Sequence, residues 1–145
     1  MTIKQLSVFV ENKKGKLVEI MQILAENSID IRALSLADTT DYGILRMIVN
    51  DTDKAVAALQ AAHCVVSVNE VLGVAVNDAP GGFAAAVKSL SDNDINLEYV
   101  YAFITPQKGY AYVVMRVTDN DAATDILQKN GVKVLNDAEL HELFR

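Results

Sequence analysis

Val10-Glu11-Asn12-Lys13-Lys14-Gly15-Lys16-Leu17 and Val76-Asn77-Asp78-Ala79-Pro80-Gly81-Gly82-Phe83 are one stretch written twice, 66 positions apart from Gly15 to Gly81. Working outward at that spacing, Leu24 meets Leu90, Asn27 meets Asn93, Ile29 meets Ile95 and Ile31 meets Leu97. Further along the spacing becomes 68, pairing Met47 with Met115, Val49 with Val117, Asp51 with Asp119 and Leu59 with Leu127. The two extra residues fall near Thr105-Pro106-Gln107-Lys108-Gly109. That is turn composition, and a turn absorbs an insertion without disturbing the core. The 145 residues therefore divide into two copies, 1–70 and 71–145.

Each copy has the same elements. Ile3 to Val10 is apolar and β-branched with partial alternation, which predicts a strand. Beyond the glycine loop, Leu17, Ile20, Met21 and Leu24 recur at i, i+3, i+4 and i+7, one stripe of a helix. Phe83, Ala86, Val87 and Leu90 repeat the stripe. Ile29–Ala37 and Ile44–Val49 predict a strand pair around Thr39-Thr40-Asp41-Tyr42-Gly43, matched by Leu97–Ile104 and Tyr110–Val117. Asp51 or Thr52, and Asp119 or Asn120, suit the N-cap of a second helix. Cys64–Val68 and Val132–Leu135 read as closing strands, and Val65–Val76 is so continuously strand-like that no linker separates the copies. The order predicts an α+β fold: two ferredoxin-like βαββαβ units in tandem, with antiparallel sheets, both helices on one face and the other face open. A unit of this size buries little core alone, so the copies are expected to associate. The tail from Asp137, with Leu140, Leu143 and Phe144, predicts a short helix packed on the body.

Composition narrows the function. Thirteen Lys+Arg against nineteen Asp+Glu leave a net charge of −6, the wrong sign for a nucleic-acid partner. The basic cluster Lys13, Lys14 and Lys16 is either a solvated loop or an anion clamp. Cys64 is the sole cysteine, so no intrachain disulfide forms, and with only His63 beside it neither a metal nor a cofactor is expected. The start Met1-Thr2-Ile3-Lys4-Gln5 has no signal-peptide pattern, and apolar runs fall short of the roughly 18–20 residues a span needs. A cytoplasmic protein without a membrane partner is the expectation.

The loop Asn77-Asp78-Ala79-Pro80-Gly81-Gly82-Phe83 resembles the Asp-x-Pro-Gly-x-Leu signature that opens the first helix of ACT domains, the amino-acid-sensing modules of many metabolic enzymes. Asn12-Lys13-Lys14-Gly15-Lys16-Leu17 is a looser version, keeping the glycine and leucine without the aspartate and proline. The resemblance covers nearly the whole chain and is to a freestanding tandem ACT protein with no catalytic domain attached. It implies an amino-acid ligand where such loops meet strands of a neighbouring unit, a homodimer, and a regulated metabolic enzyme as partner. By position it points to Asn12, Lys14, Gly15, Lys16 and Leu17 in the first copy, and to Asn77, Asp78, Ala79, Pro80, Gly81, Gly82 and Phe83 in the second. Ile31 and Leu97, on the strand after the helix, are further candidates.

Physical chemistry supports the same loops independently. A helix start presents N–H groups without partners and the positive end of a dipole, which suits a carboxylate. Glycines admit a close approach to the main chain, and Pro80 stiffens the loop. Asn12, Asn77 and Asp78 could hold an ammonium group, although Asp78 equally suits an N-cap or turn. The second loop is favoured as the more complete. Tyr99, Tyr101, Tyr110 and Tyr112 suit cross-strand packing first, and a ligand wall or dimer surface second. Two other classes stand beside the sensor: a ligand-free interaction module, and a small enzyme on the same fold. The enzyme reading lacks a nucleophile–base pair, since neighbours such as His63 and Cys64 on a strand face opposite ways.

Overall fold

The computed structural model describes residues 1–38, 41–105 and 108–144. They form two compact units, Lys4–Asn69 and Glu70–Arg145, with Met1–Ile3 grouped with the latter. The first unit is built from β1 (Ile3–Glu11), α1 (Lys16–Glu26), β2 (Ile31–Asp38), β3 (Tyr42–Val49), α2 (Thr52–Ala61) and the start of β4 (Val66–Asn77). The second takes the rest of β4, then α3 (Gly82–Ser91), β5 (Leu97–Ala102), β6 (Tyr110–Val117), α4 (Asn120–Lys129), β7 (Lys133–Leu135) and α5 (Asp137–Leu143). Strand order is β2-β3-β1-β4 in the first unit and β5-β6-β4-β7 in the second. These are the same ferredoxin-like order, and the βαββαβ expectation holds in both copies.

The registers follow from burying alternate residues. On one face of the first sheet Leu6, Val8, Leu45 and Met47 join Ile20 and Leu24 of α1 and Leu59 of α2. On the second, Leu72, Val74, Val113 and Met115 join Ala86 and Leu90 of α3 and Leu127 of α4. The register shift between Ile31 and Ala33 recurs between Leu97 and Tyr99, so even the irregularity is duplicated.

Four helices end in one motif, and it corrects three strand boundaries. At the end of α1, Ile29 donates its N–H to the Leu24 carbonyl at 2.9 Å and Ser28 to Ala25 at 3.1 Å, with Ser28 left-handed at φ 56°. Cys64, Ile95 and Val132 make the equivalent bonds to Leu59, Leu90 and Leu127 at 2.9–3.0 Å. This is a Schellman closure with its apolar contact. Ile29, Cys64 and Val132 therefore spend their amides on helix carbonyls, and β2, β4 and β7 begin later than the apolar runs suggest. Asn27, Asn93 and Asn130 add a side-chain bond of 2.8 Å to carbonyls four residues back, which accounts for the Asn27–Asn93 match. At the other end, Asp51 and Asp119 are the N-caps, accepting from Lys54 and Ala122.

Two expectations need correction. The sheet face opposite the helices is open only in part: Gln5, Ala33 and Ile48 in the first unit, and Val71 and Val114 in the second, are fully buried or nearly so, while Phe9, on the same face as Gln5, is exposed. These residues alternate with the helix-side core, so both faces of the inner strands shed water. The tyrosines also touch along their strands. Register sets Tyr99 against Arg116 and Tyr101 against Val114, and the ring contacts run along each strand, Tyr99 with Tyr101 at 6.4 Å and Tyr110 with Tyr112 at 6.3 Å. The turns expected at Thr39-Thr40 and Pro106-Gln107 lie outside the described residues, while Tyr42 and Gly43 already belong to β3. The tail forms α5 as expected. Asn136 closes a capping box with Glu139, Leu140 is buried, and Phe144 meets Phe103 at 6.0 Å.

Candidate functional site

Both glycine loops are built alike. Gly15 and Gly81 are the N-caps of α1 and α3, at φ 89° and 87°, and neither helix has a side-chain cap. Asp78 is therefore a turn residue, not the N-cap. Each loop is tied to the tip of the adjacent hairpin through its backbone, Asn12 N–H to the Asp41 carbonyl at 3.0 Å and Asp78 N–H to the Gly109 carbonyl at 3.2 Å. In the second loop Gly82 donates to the Ala79 carbonyl at 3.0 Å, and the first i→i−4 bond is Ala85 to Gly81. Phe83 and Ala84 thus begin α3 with amides that have no acceptor within the helix. Gly82 also packs directly on the Asn77 carbonyl, where any Cβ would overlap the oxygen.

A pocket opens beside each loop, inside its own unit. The second-unit pocket, about 570 Å³, is walled by Asn77, Ala79, Pro80, Gly81 and Gly82 of the loop, Ala75 and Val76 of β4, and Ala85 of α3. Tyr110 and Tyr112, the Asn130-Gly131-Val132 turn, Lys133 and Leu135 of β7, and Glu139 and Leu143 of α5 complete it. The first-unit pocket, about 480 Å³, is lined by Phe9, Val10, Glu11, Lys16, Glu19, Ile20, Tyr42, Ala62, His63, Cys64 and Val65. At the repeat spacings every one of these except Ile20 has its counterpart in the second wall. The duplication has preserved a concavity as well as a fold.

The two pockets differ in content. Phe9 is replaced by Ala75, Glu11 by Asn77, Lys16 by Gly82, Glu19 by Ala85 and His63 by Gly131, each change removing bulk or charge. Lys133 stands where the first pocket has Val65. Glu11 and Glu19 outnumber Lys16 in the first pocket, whereas Lys133 and Glu139 cancel in the second. Lys133 Nζ lies 2.7 Å from Glu139 Oε2. Its hydrogen bond to Glu139 raises the lysine above the ordinary range, with the charge of Glu139 and the nearby Tyr112 and Tyr110 adding to it. The Lys133 bond likewise holds Glu139 below the usual carboxylate range. In the first unit the Lys13 hydrogen bond, at 3.1 Å, lowers Glu11.

Of the residues singled out by sequence, Asn77, Ala79, Pro80, Gly81 and Gly82 come together in the second pocket and Lys16 in the first. Asn12 and Leu17 line a separate, smaller hollow of about 80 Å³ beside the first loop. Lys14, Gly15, Asp78 and Phe83 line none of these pockets. Ile31 and Leu97 pair with Val49 and Val117, at the sheet end remote from their own unit's loop. Sequence reading missed Tyr110 and Tyr112 as definite wall residues, and missed Lys133 and Glu139. The available signal was the repeat: Lys133 is a lysine where the first copy has valine. Among the described residues no group of three or more His, Cys, Asp or Glu could hold a metal ion, and no helix is long and apolar enough to cross a membrane.

Two units of one ferredoxin-like order, each with a pocket at the glycine start of its first helix, define a tandem α+β module. The chain belongs to the ACT domain pair family, whose sequence model matches residues 1–144. It is similar to the structure of protein BT0572 from Bacteroides thetaiotaomicron, at 38% identity, TM-score 0.91, and coverage of 99% of this chain and 98% of that one. It shares its fold with the regulatory subunit of aspartate kinase from Thermus thermophilus, in a ligand-free form, at 16% identity, TM-score 0.61, and 88% and 91% coverage. It also shares it with part of E. coli aspartokinase III in complex with aspartate and ADP, at 18% identity, TM-score 0.54, covering 89% of this chain and 32% of that one. No curated protein matches the chain in sequence.

Proposed function

We propose that the chain is a regulatory protein that binds a free amino acid in its second-unit pocket, catalyses no reaction, and signals occupancy to a partner metabolic enzyme. The observation that carries this is the pair of equivalent pockets, each opening on a glycine-initiated helix start. The start of α3, whose Gly81 and Gly82 form part of the pocket wall, turns the positive end of a helix dipole toward the cavity and favours a ligand that carries a carboxylate. The second pocket is preferred because its loop is the glycine-rich one and because Lys133 adds a cation where the first pocket has Val65.

The remaining candidates, Asn12, Lys14, Gly15, Lys16, Leu17, Ile31, Asp78, Phe83 and Leu97, belong to a ligand site only if a neighbouring unit completes it, as a homodimer would. Exposed apolar side chains support such a dimer: Leu17, Val18, Leu34 and Leu36 in the first unit, and Phe83, Val100 and Ile104 in the second. The Thermus thermophilus regulatory subunit of aspartate kinase is the precedent for an enzyme partner. The unpaired thiol of Cys64 suits the reducing cytoplasm.

Thermal shift against the twenty standard amino acids tests the proposal. One or a few should raise the melting temperature in proportion to ligand, as binding to the native state requires. Silence from all twenty at about 1 mM, where binding would amount to about −4 kcal/mol, overturns it in favour of a ligand-free interaction module.

A further inference from the structure

The second pocket carries one ionic side chain of each sign, Lys133 on β7 and Glu139 on α5. They are bonded to each other at 2.7 Å, with side chains 60% and 33% exposed, so neither is locked away from an incoming ligand. The first pocket has valine at the lysine position and no helix corresponding to α5. The pair thus belongs to only one of two cavities built on equivalent positions.

We propose that Lys133 and Glu139 are the zwitterion-reading pair of this pocket: an α-amino acid enters between them, its carboxylate taken by Lys133 and its ammonium by Glu139. This rests on the amino-acid reading above, and adds the two side chains that select the ligand class. The argument is one of charge balance. A simple carboxylate that captures Lys133 breaks the 2.7 Å pair and leaves Glu139 without its cation, and a simple amine leaves Lys133 without its anion. A zwitterion exchanges one ion pair for two and strands nothing. Both groups are held ionised through the neutral range, because each is shifted toward its charged form by the other.

The same exchange gives the site an output. With seven residues, α5 is far below the length at which a helix persists alone, so its docking contacts hold it in place. Those contacts are the Glu139 pair, buried Leu140, Leu143 in the pocket wall, and Phe144 on Phe103. A ligand that takes over Glu139 changes one of them directly.

The test uses the full chain and whichever standard amino acid gives the largest thermal shift, together with its N-acetyl and carboxamide derivatives, by titration calorimetry. The wild type should prefer the parent over either derivative by about tenfold or more, the worth of one charge-assisted contact. Glu139→Gln, which retains an acceptor for the capping box, should erase the discrimination against the N-acetyl form. Lys133→Gln should erase it against the carboxamide. Variants that discriminate as the wild type does overturn the pairing while leaving amino-acid binding intact. A wild type that binds none of the twenty overturns both.

Discussion

Gly82→Ala separates a steric requirement from ordinary helix punctuation, because the two predict opposite signs. At an unconstrained first helical position, replacing glycine by alanine stabilises by about 0.5–1 kcal/mol, mainly by restricting the unfolded chain. Gly82 is not unconstrained. A Cβ there would overlap the Asn77 carbonyl oxygen, lie 3.0 Å from its carbonyl carbon and lie 3.3 Å from the Asn77 Cβ. Comfortable carbon–carbon contact begins near 3.5 Å, and two of the three atoms are main chain, which cannot rotate aside. The first copy bounds the damage: Lys16 carries a side chain at the equivalent position and α1 still starts from a left-handed Gly15. The loop therefore has a relaxed form to move to, and the substitution should cost about 1–3 kcal/mol, as overpacking does. That is a fall of roughly 3–10 °C in melting temperature for a chain of this size. Lys16→Ala, which loses an exposed 3.8 Å pair with Glu19, should change stability by less than about 0.5 kcal/mol. Calorimetric melts of both variants and the wild type decide the matter. A Gly82→Ala protein that melts at or above the wild type refutes the close-packed loop, and with it the shape of the second pocket.

His63→Gly should stabilise the chain by about 0.5–1 kcal/mol, since His63 sits at φ 63° where the second copy has Gly131 at φ 76°; urea denaturation with unchanged slope checks this, and destabilisation would mean the imidazole makes a contact of value. The Lys133–Glu139 pair predicts how α5 responds to pH. Glu139 is depressed on folding, so its contribution is present above the ordinary glutamate value of about 4.3 and is lost as pH falls through the lower folded value. Lys133 is raised, so its contribution is present below about 10.4 and is lost as pH rises through the higher folded value. Hydrogen exchange at the α5 amides, corrected for intrinsic rates, should quicken below pH 4 and not between 5 and 9, and Glu139→Gln should remove the acid limb; an unchanged limb assigns it elsewhere.

The fold was legible because it was written twice. A strand or helix inferred from one copy alone has nothing to check it, but Leu24 with Leu90 and Met47 with Met115 place core residues at matched positions, and both pairs are buried. The errors have a common physical source. Ile29, Cys64 and Val132 look like strand residues by composition, yet a helix closure claims their amides, and apolarity does not reveal which acceptor an amide finds. The burial of Gln5 was hidden for a related reason, since a polar residue between apolar neighbours reads as the exposed half of an alternation. At the site, the loop was legible because glycines and a proline mark a bend. The far wall was not, because Lys133 and Glu139 come from a short strand and a tail helix whose folding back depends on tertiary contacts.

Duplication explains why one pocket can specialise. Two identical cavities would be held to one compromise, but a tandem pair lets one copy drift while the other keeps the fold's interior contacts. The residues that differ between the walls are the exposed or half-exposed ones for the most part, whereas Val10 and Val76, which also face the core, are unchanged. Beside the glycine loop the second copy is the smaller and less charged: Phe9 corresponds to Ala75, Glu19 to Ala85, His63 to Gly131 and Glu11 to Asn77, whereas Ala62 and Val65 correspond to the larger Asn130 and Lys133. The second wall thus exchanges the charged Glu11, Lys16 and Glu19 for neutral Asn77, Gly82 and Ala85, and carries instead one ion pair, Lys133 with Glu139, that the first unit has no tail helix to build.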